Sequence, residues 1–134
     1  MQHKEFIMKQ SNLQFTDPHI ERIDFRISEN TINDNLPVEI EVKNEINSNQ
    51  YEAKVSLNLT VGAVDDQKNV TTAFYFDAVI SADFKWNEKI SDIHKTLKIS
   101  GGAVLLSYIR PVLANLTVQA GLSPLNLPFV DFTE

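Results

Sequence analysis

Few residues of this chain combine into a pattern that could make or break bonds. Asp65 and Asp66 are adjacent carboxylates, a pairing that general acid–base work could use. They run into Gln67, Lys68 and Asn69, however, and that stretch reads as a solvated hairpin turn, where Asp is favoured for local reasons. The three histidines, His3, His19 and His94, are far apart in sequence and there is no cysteine, so neither a zinc site nor a disulfide nor a thiol nucleophile is expected. His94 stands beside Lys95 on a polar helix face and reads as an exposed side chain. Gly101-Gly102 precedes a long helical stretch, where an anion could sit. Without further glycines or a lysine, the pair reads instead as a break between two helices. No metal-binding histidine pair, phosphate loop or nucleophile elbow occurs. The chain is therefore expected to be no enzyme and to need no cofactor.

What remains is an argument about surfaces. The 134 residues fit one domain, and a net charge of -6 argues against nucleic acid, whose phosphates call for Lys and Arg. Charge is also unevenly placed. From Ile99 to Glu134 only Arg110, Asp131 and Glu134 are charged, whereas Lys and Glu are scattered through the front. The start, residues 1–14, reads as a flexible polar lead without the apolar run of a signal peptide. Residues 15–134 read as the single domain.

Period-two alternation dominates the front of that domain. Ile23, Phe25 and Ile27 alternate with Arg22, Asp24, Arg26 and Ser28. After a polar connection, Glu29 to Pro37, Val38, Ile40 and Val42 alternate with Glu39, Glu41 and Lys43. Asn47-Ser48-Asn49 reads as a turn. From Tyr51 to Ala63 every second residue is apolar, the pattern of an antiparallel strand with one wet face. A fourth strand, about Thr71 to Phe84, places Phe74, Phe76, Ala78, Ile80 and Phe84 on one face. Tyr75 and Val79 add apolar character to the other.

After Trp86 the period lengthens. Asn87 can cap a short helix whose stripe is Ile90, Ile93 and Leu97. A long helix follows from about Ala103 to Ala120, with Val104, Leu105, Tyr108, Ile109, Val112, Leu113 and Leu116 as its main stripe, a kink expected near Ser107 from Pro111, and Gly121 as its stop. The fold expected is α+β: a four-stranded antiparallel sheet with a short and a long C-terminal helix packed on one face. One small sheet covers one side of a helix this apolar. Val104, Leu105, Ile109, Val112, Leu113 and Leu116 are therefore the candidate oligomer interface. Arg110 and Pro111 near the middle of the stretch argue against a membrane span. Phe74, Phe76, Phe84, Trp86 and Tyr108 form the candidate apolar binding surface, and the same aromatics would equally serve as core.

The tail reads Pro124-Leu125-Asn126-Leu127-Pro128-Phe129-Val130-Asp131-Phe132. With several motifs upstream it resembles the SecB protein-export chaperone family, whose tail pattern is Pro-x-Leu-Asn-Leu-x-x-Val-x-Phe. Tyr108-Ile109-Arg110, Asn115-Leu116 and Gly121 resemble its main helix. Thr72-Ala73-Phe74-Tyr75-Phe76-Asp77 and Leu36-Pro37-Val38-Glu39-Ile40 resemble the starts of two of its strands. The resemblance covers about residues 15 to 132.

That resemblance implies a cytoplasmic, ATP-independent holdase that binds unfolded or precursor proteins for export, assembles as a tetrameric dimer of dimers, and hands clients to the SecA motor. Tyr75 and Asp77 are then the candidate partner-docking residues. The acidic residues with which the family's first strand docks SecA are replaced here by Arg22 and Arg26, and the family's polar tail is absent after Glu134, so SecA is expected to bind weakly or not at all. Two alternatives stand beside this reading. One is a SecB-like chaperone dedicated to a narrow client such as a toxin–antitoxin pair. The other is a carrier holding a small ligand in an apolar pocket between sheet and helix.

Overall fold

The computed structural model describes residues 13–29, 35–47, 51–87, 89–127 and 130–133. The lead from 1 to 12, most of the connection after Glu29, the turn at Ser48-Asn49 and Pro128-Phe129 of the tail motif lie outside them.

Five antiparallel strands form one sheet: β1 (Leu13–Phe15), β2 (His19–Ile27), β3 (Val38–Asn47), β4 (Glu52–Val61) and β5 (Phe74–Trp86). The order across the sheet is β3-β4-β5, and both β1 and β2 pair with β5. The sheet is thus four strands wide, as expected, but its first strand comes in two pieces. Pro18 lies in the gap, and proline has no N–H to give a ladder. Thr16 bridges the gap: its N–H donates to the Asp83 carbonyl at 2.9 Å, and its Oγ1 accepts from the Asp83 N–H at 3.0 Å. Leu13 pairs with Trp86 and Gln14 with Lys85, so the ordered sheet begins inside the stretch read as a lead. A bulge between Ile20 and Arg22 interrupts β2 again.

Register fixes the two faces of the sheet. Val55, Leu57, Leu59 and Val61 of β4 stand opposite Ala82, Ile80, Ala78 and Phe76 of β5, and all eight are buried. This is the alternation visible in sequence, with the apolar set turned toward the helix. The hairpin between β4 and β5 is as expected. The Asp65 carboxylate accepts from the N–H groups of Gln67 and Asn69, both at 2.9 Å.

The helical part departs from expectation. Helix α1 (Ile93–Thr96) is capped by Asp92, whose carboxylate accepts from the Lys95 N–H, and not by Asn87. Ile90 lies ahead of it, partly buried against the core. Nor does Gly101-Gly102 break the chain. A π-turn (Leu97–Gly101) joins α1 to α2 (Gly102–Gln119) in one continuous helical run. Both glycines have ordinary right-handed helical dihedrals. Their role is close approach. A Cβ on Gly101 would lie 2.9 Å from Val55 Cγ1, and one on Gly102 would lie 2.9 Å from Phe132 Cδ1. The stop at Gly121 does hold. Its φ of 83° suits glycine, and the Gly121 and Leu122 N–H groups donate back to the Val118 and Thr117 carbonyls in a paired C-terminal cap. Pro111 lies inside α2.

Candidate functional site

The helix meets the sheet through Leu97, Leu105, Leu106, Ile109 and Leu113, all buried. Three of these, Leu105, Ile109 and Leu113, belong to the expected oligomer interface and are instead consumed by the protomer's own core. Val104, Val112 and Leu116 are half-buried. Leu106 and Thr117 went unpredicted as core positions. The exposed residues of α2 are Ala103, Ser107, Tyr108, Pro111, Asn115, Val118 and Gln119. They form one outward face without a charge. By length and composition the run Ile93–Gln119 could cross a membrane, but one side of it is the core of this fold.

The expected aromatic surface is redistributed in the same way. Phe74, Phe76, Phe84 and Trp86 are buried, and of the five candidates only Tyr108 is exposed, at 45%. The helix covers β4 and β5 first, so the large rings of β5 serve as core. The accessible apolar surface lies around them. A groove of about 490 Å³ runs between the β1–β5 corner and the helix, lined by Leu13, Phe15, Phe84, Ile90, Thr96, Ser100 and Val104. Phe15 is 43% exposed and packs on Phe84 with ring centroids 5.6 Å apart. Buried Phe84 therefore forms the floor and Phe15 a wall. Sequence reasoning missed Leu13, Phe15 and Ile90. The signal was present in the Leu-x-Phe alternation ahead of Pro18, but three residues are too short a run to separate from a polar lead. On β2, Ile20, Ile23 and Ile27 also face the helix side and remain exposed at the sheet's edge.

The opposite face of β5 carries Tyr75 and Asp77, the candidate docking residues. Asp77 is the centre of a network. It accepts from Thr60 Oγ1 at 2.6 Å and from Asn58 Nδ2 at 3.0 Å, and it forms an ion pair with Arg22. Partial burial alone would raise its pKa. The hydrogen bonds from Thr60, Asn58 and Arg22, with the charge of Arg22, outweigh that and hold it below the ordinary carboxylate value. Arg26 pairs with Asp24 at 3.2 Å, donates to the Lys68 carbonyl at 2.8 Å and lies 5.1 Å from the centroid of the Tyr75 ring. Desolvation, with the charges of Asp77 and Asp24, raises the Tyr75 phenol. The two arginines noticed in sequence thus pair with the sheet's own carboxylates while their side chains stay exposed.

Among the described residues no three histidines or carboxylates converge as metal ligands. His94 is exposed, its Nδ1 lying 2.9 Å from Asn44 Oδ1 on β3.

Comparison with known proteins agrees with this architecture. The chain is 30% identical over 102 residues to the protein-export protein SecB of Ruegeria pomeroyi, a match covering 73% of this chain and 58% of that protein. It therefore spans little more than half the length of that relative. Among solved structures, the Mycobacterium tuberculosis Rv1957 SecB-like chaperone, in complex with a ChAD peptide from the HigA1 antitoxin, superposes with a TM-score of 0.65 at 16% identity. That match covers 89% of this chain and 91% of the other, and it carries the fold alone. The sequence profile of preprotein translocase subunit SecB matches residues 10–134, and this chain belongs to the SecB family.

Proposed function

We propose that this chain is an ATP-independent holdase that keeps unfolded or precursor polypeptides soluble. The observation that carries the reading is the open apolar groove walled by Phe15 over Phe84. An unfolded segment is stabilised when its apolar side chains leave water for such a groove. Aromatic walls with few fixed polar contacts suit many sequences rather than one. The client-contacting residues on this reading are Leu13, Phe15, Phe84, Ile90 and Val104. Phe74, Phe76 and Trp86 support them from the core.

The protein works as an oligomer, a dimer of dimers, joined through the outward face of α2. The uncharged stripe of Tyr108, Pro111, Asn115 and Val118 supports this, because an exposed helix face ordinarily carries charge. Val112 and Leu116 flank that stripe and become fully buried on assembly. SecA binds weakly. An acidic docking face would present free carboxylates, whereas here Asp77 is tied to Arg22, Asn58 and Thr60, and charge mismatch slows encounter. The same pairing favours the narrower-client reading, for which the antitoxin peptide bound by the mycobacterial relative is a precedent.

Light scattering after size exclusion, followed by suppression of aggregation of a chemically unfolded protein, tests the reading. A Phe15→Ser/Val104→Ser variant should keep its oligomer and lose most suppression. A Val118→Lys variant should give smaller particles. Full suppression by the groove variant would remove the groove from the reading. Titration with SecA of the same organism should show weak binding. Tight, salt-sensitive binding abolished by Asp77→Ala would restore the export handover.

A further inference from the structure

The two flanks of helix α2 are occupied differently. On the β1 flank the Phe15 groove stands open among the described residues. On the other, the chain's own tail fills the space. Among its described residues the tail beyond Gly121 has no regular secondary structure, yet it sinks two apolar side chains into the common core: Leu127 is 6% and Phe132 8% exposed. Between and around them Asn126, Val130, Asp131 and Thr133 are exposed. The Phe132 ring lies flat against the helix where glycine leaves a gap. A Cβ on Gly102 would stand 2.9, 3.0 and 3.1 Å from three of its atoms. One turn further, Leu106 is buried on the same side of the helix. Asp131 frames the ring, its carboxylate accepting from the Thr133 N–H at 2.9 Å and so turning the chain around Phe132. One specific polar tie between tail and helix is the Leu125 N–H donating to Thr117 Oγ1 at 3.1 Å.

This is how a holdase client would be held: a segment outside regular secondary structure, two apolar anchors, and a backbone hydrogen bond to a side chain. We infer that the Gly102 seat is a second polypeptide-binding site, and that Leu125 to Leu127 with Val130 to Thr133 act there as a built-in client that an unfolded chain must displace. Its occupant is a segment with an aliphatic residue five positions before an aromatic one, the spacing of Leu127 and Phe132. The inference rests on the holdase reading for its biological role. The seat itself can be tested without it.

The physical expectation follows from competition. When the competent state is populated only as the tail lifts, apparent affinity is lowered by the fraction of time it is lifted. Phe132→Ala removes the stronger anchor, so binding of a fluorescent, permanently unfolded model protein should tighten by about tenfold, an order of magnitude set by that fraction. Gly102→Ala also expels the ring but narrows the seat for any aromatic side chain, so it should bring no gain. A synthetic peptide of residues 121–134 should bind the Phe132→Ala protein and compete with the unfolded model protein. The same peptide carrying Leu127→Ala and Phe132→Ala should do neither. In the unaltered protein, adding the model protein should speed hydrogen exchange at the Leu125 amide, which needs no variant to fold. Unchanged or weaker binding by a folded Phe132→Ala protein, together with no competition by the peptide, would overturn the inference. If no form binds the unfolded protein but the peptide still binds the variant, the seat stands and the holdase reading falls.

Discussion

The two faces of β5 are built on different physics. Toward the helix, Phe74, Phe76, Ala78, Ile80, Ala82 and Phe84 are sealed, and Phe76 has no exposure at all. Away from it, Tyr75, Asp77 and Val79 are half-buried in a lattice of Arg22, Asn58, Thr60 and Arg26. The first face derives its stability from area removed from water, at about 25 cal/mol per Å². The second consists of polar groups satisfying one another in partial solvent, where each hydrogen bond contributes only about 1 kcal/mol net. The contrast teaches that the sealed face is needed for folding, while the polar face is free to specialise toward a partner.

The comparison can be broken most severely at its apolar side. Leu113→Asp places a carboxylate where exposure is zero. An unpaired buried charge costs several kcal/mol, comparable with the whole stability of a domain, about 5–15 kcal/mol. Circular dichroism should find this variant unfolded or in aggregates. Phe76→Ala should leave a folded protein weakened by about 3–5 kcal/mol, read as a lower urea midpoint. Asp77→Asn, on the other face, should cost only about 1 kcal/mol and should change the response to acid. Because the folded state holds this carboxyl below its ordinary value, Asp77 stabilises the protein fully above the unfolded value, about 3.9. That contribution disappears as pH falls through the still lower folded value. Urea midpoints measured from pH 6 down to pH 2 should therefore converge for Asp77→Asn and the unaltered protein. A constant gap across that range would show that the ion-pair network is not the source. Smallest of all, Glu52→Gln breaks the exposed pair with Lys85 at 3.2 Å and should change stability by less than about 0.5 kcal/mol.

Much of this architecture was legible because a sheet with one wet face writes itself as alternation. The stretches Tyr51 to Ala63 and Thr71 to Phe84 gave the strands Glu52–Val61 and Phe74–Trp86 with the faces assigned to them, while Tyr51 stands exposed at the turn. The family tail motif was legible as well. Three things were not. The first strand's division at Pro18 leaves Leu13–Phe15 as a fragment too short to show a period. Gly101-Gly102 signals a break in most sequences. Here it meets a requirement of another kind, the passage of the helix over Val55 and beneath Phe132, which no local pattern contains. Finally, the aromatics of β5 could not be divided between core and surface. That depends on where the helix lies across the sheet, and it takes Phe84 to the floor of a groove whose wall, Phe15, is 69 positions away in sequence.

The broken edge of the sheet has a consequence of its own. A long, flat edge strand is a template for fibril growth, since its unpaired backbone groups can recruit another strand. Here one edge is cut at Pro18 and bulged between Ile20 and Arg22. The other, β3, turns Glu39, Glu41, Lys43 and Glu45 outward to solvent. Phe15, Ile20, Ile23 and Ile27 therefore stand exposed on a sheet whose margins, among the described residues, give the next copy little place to begin a fibre.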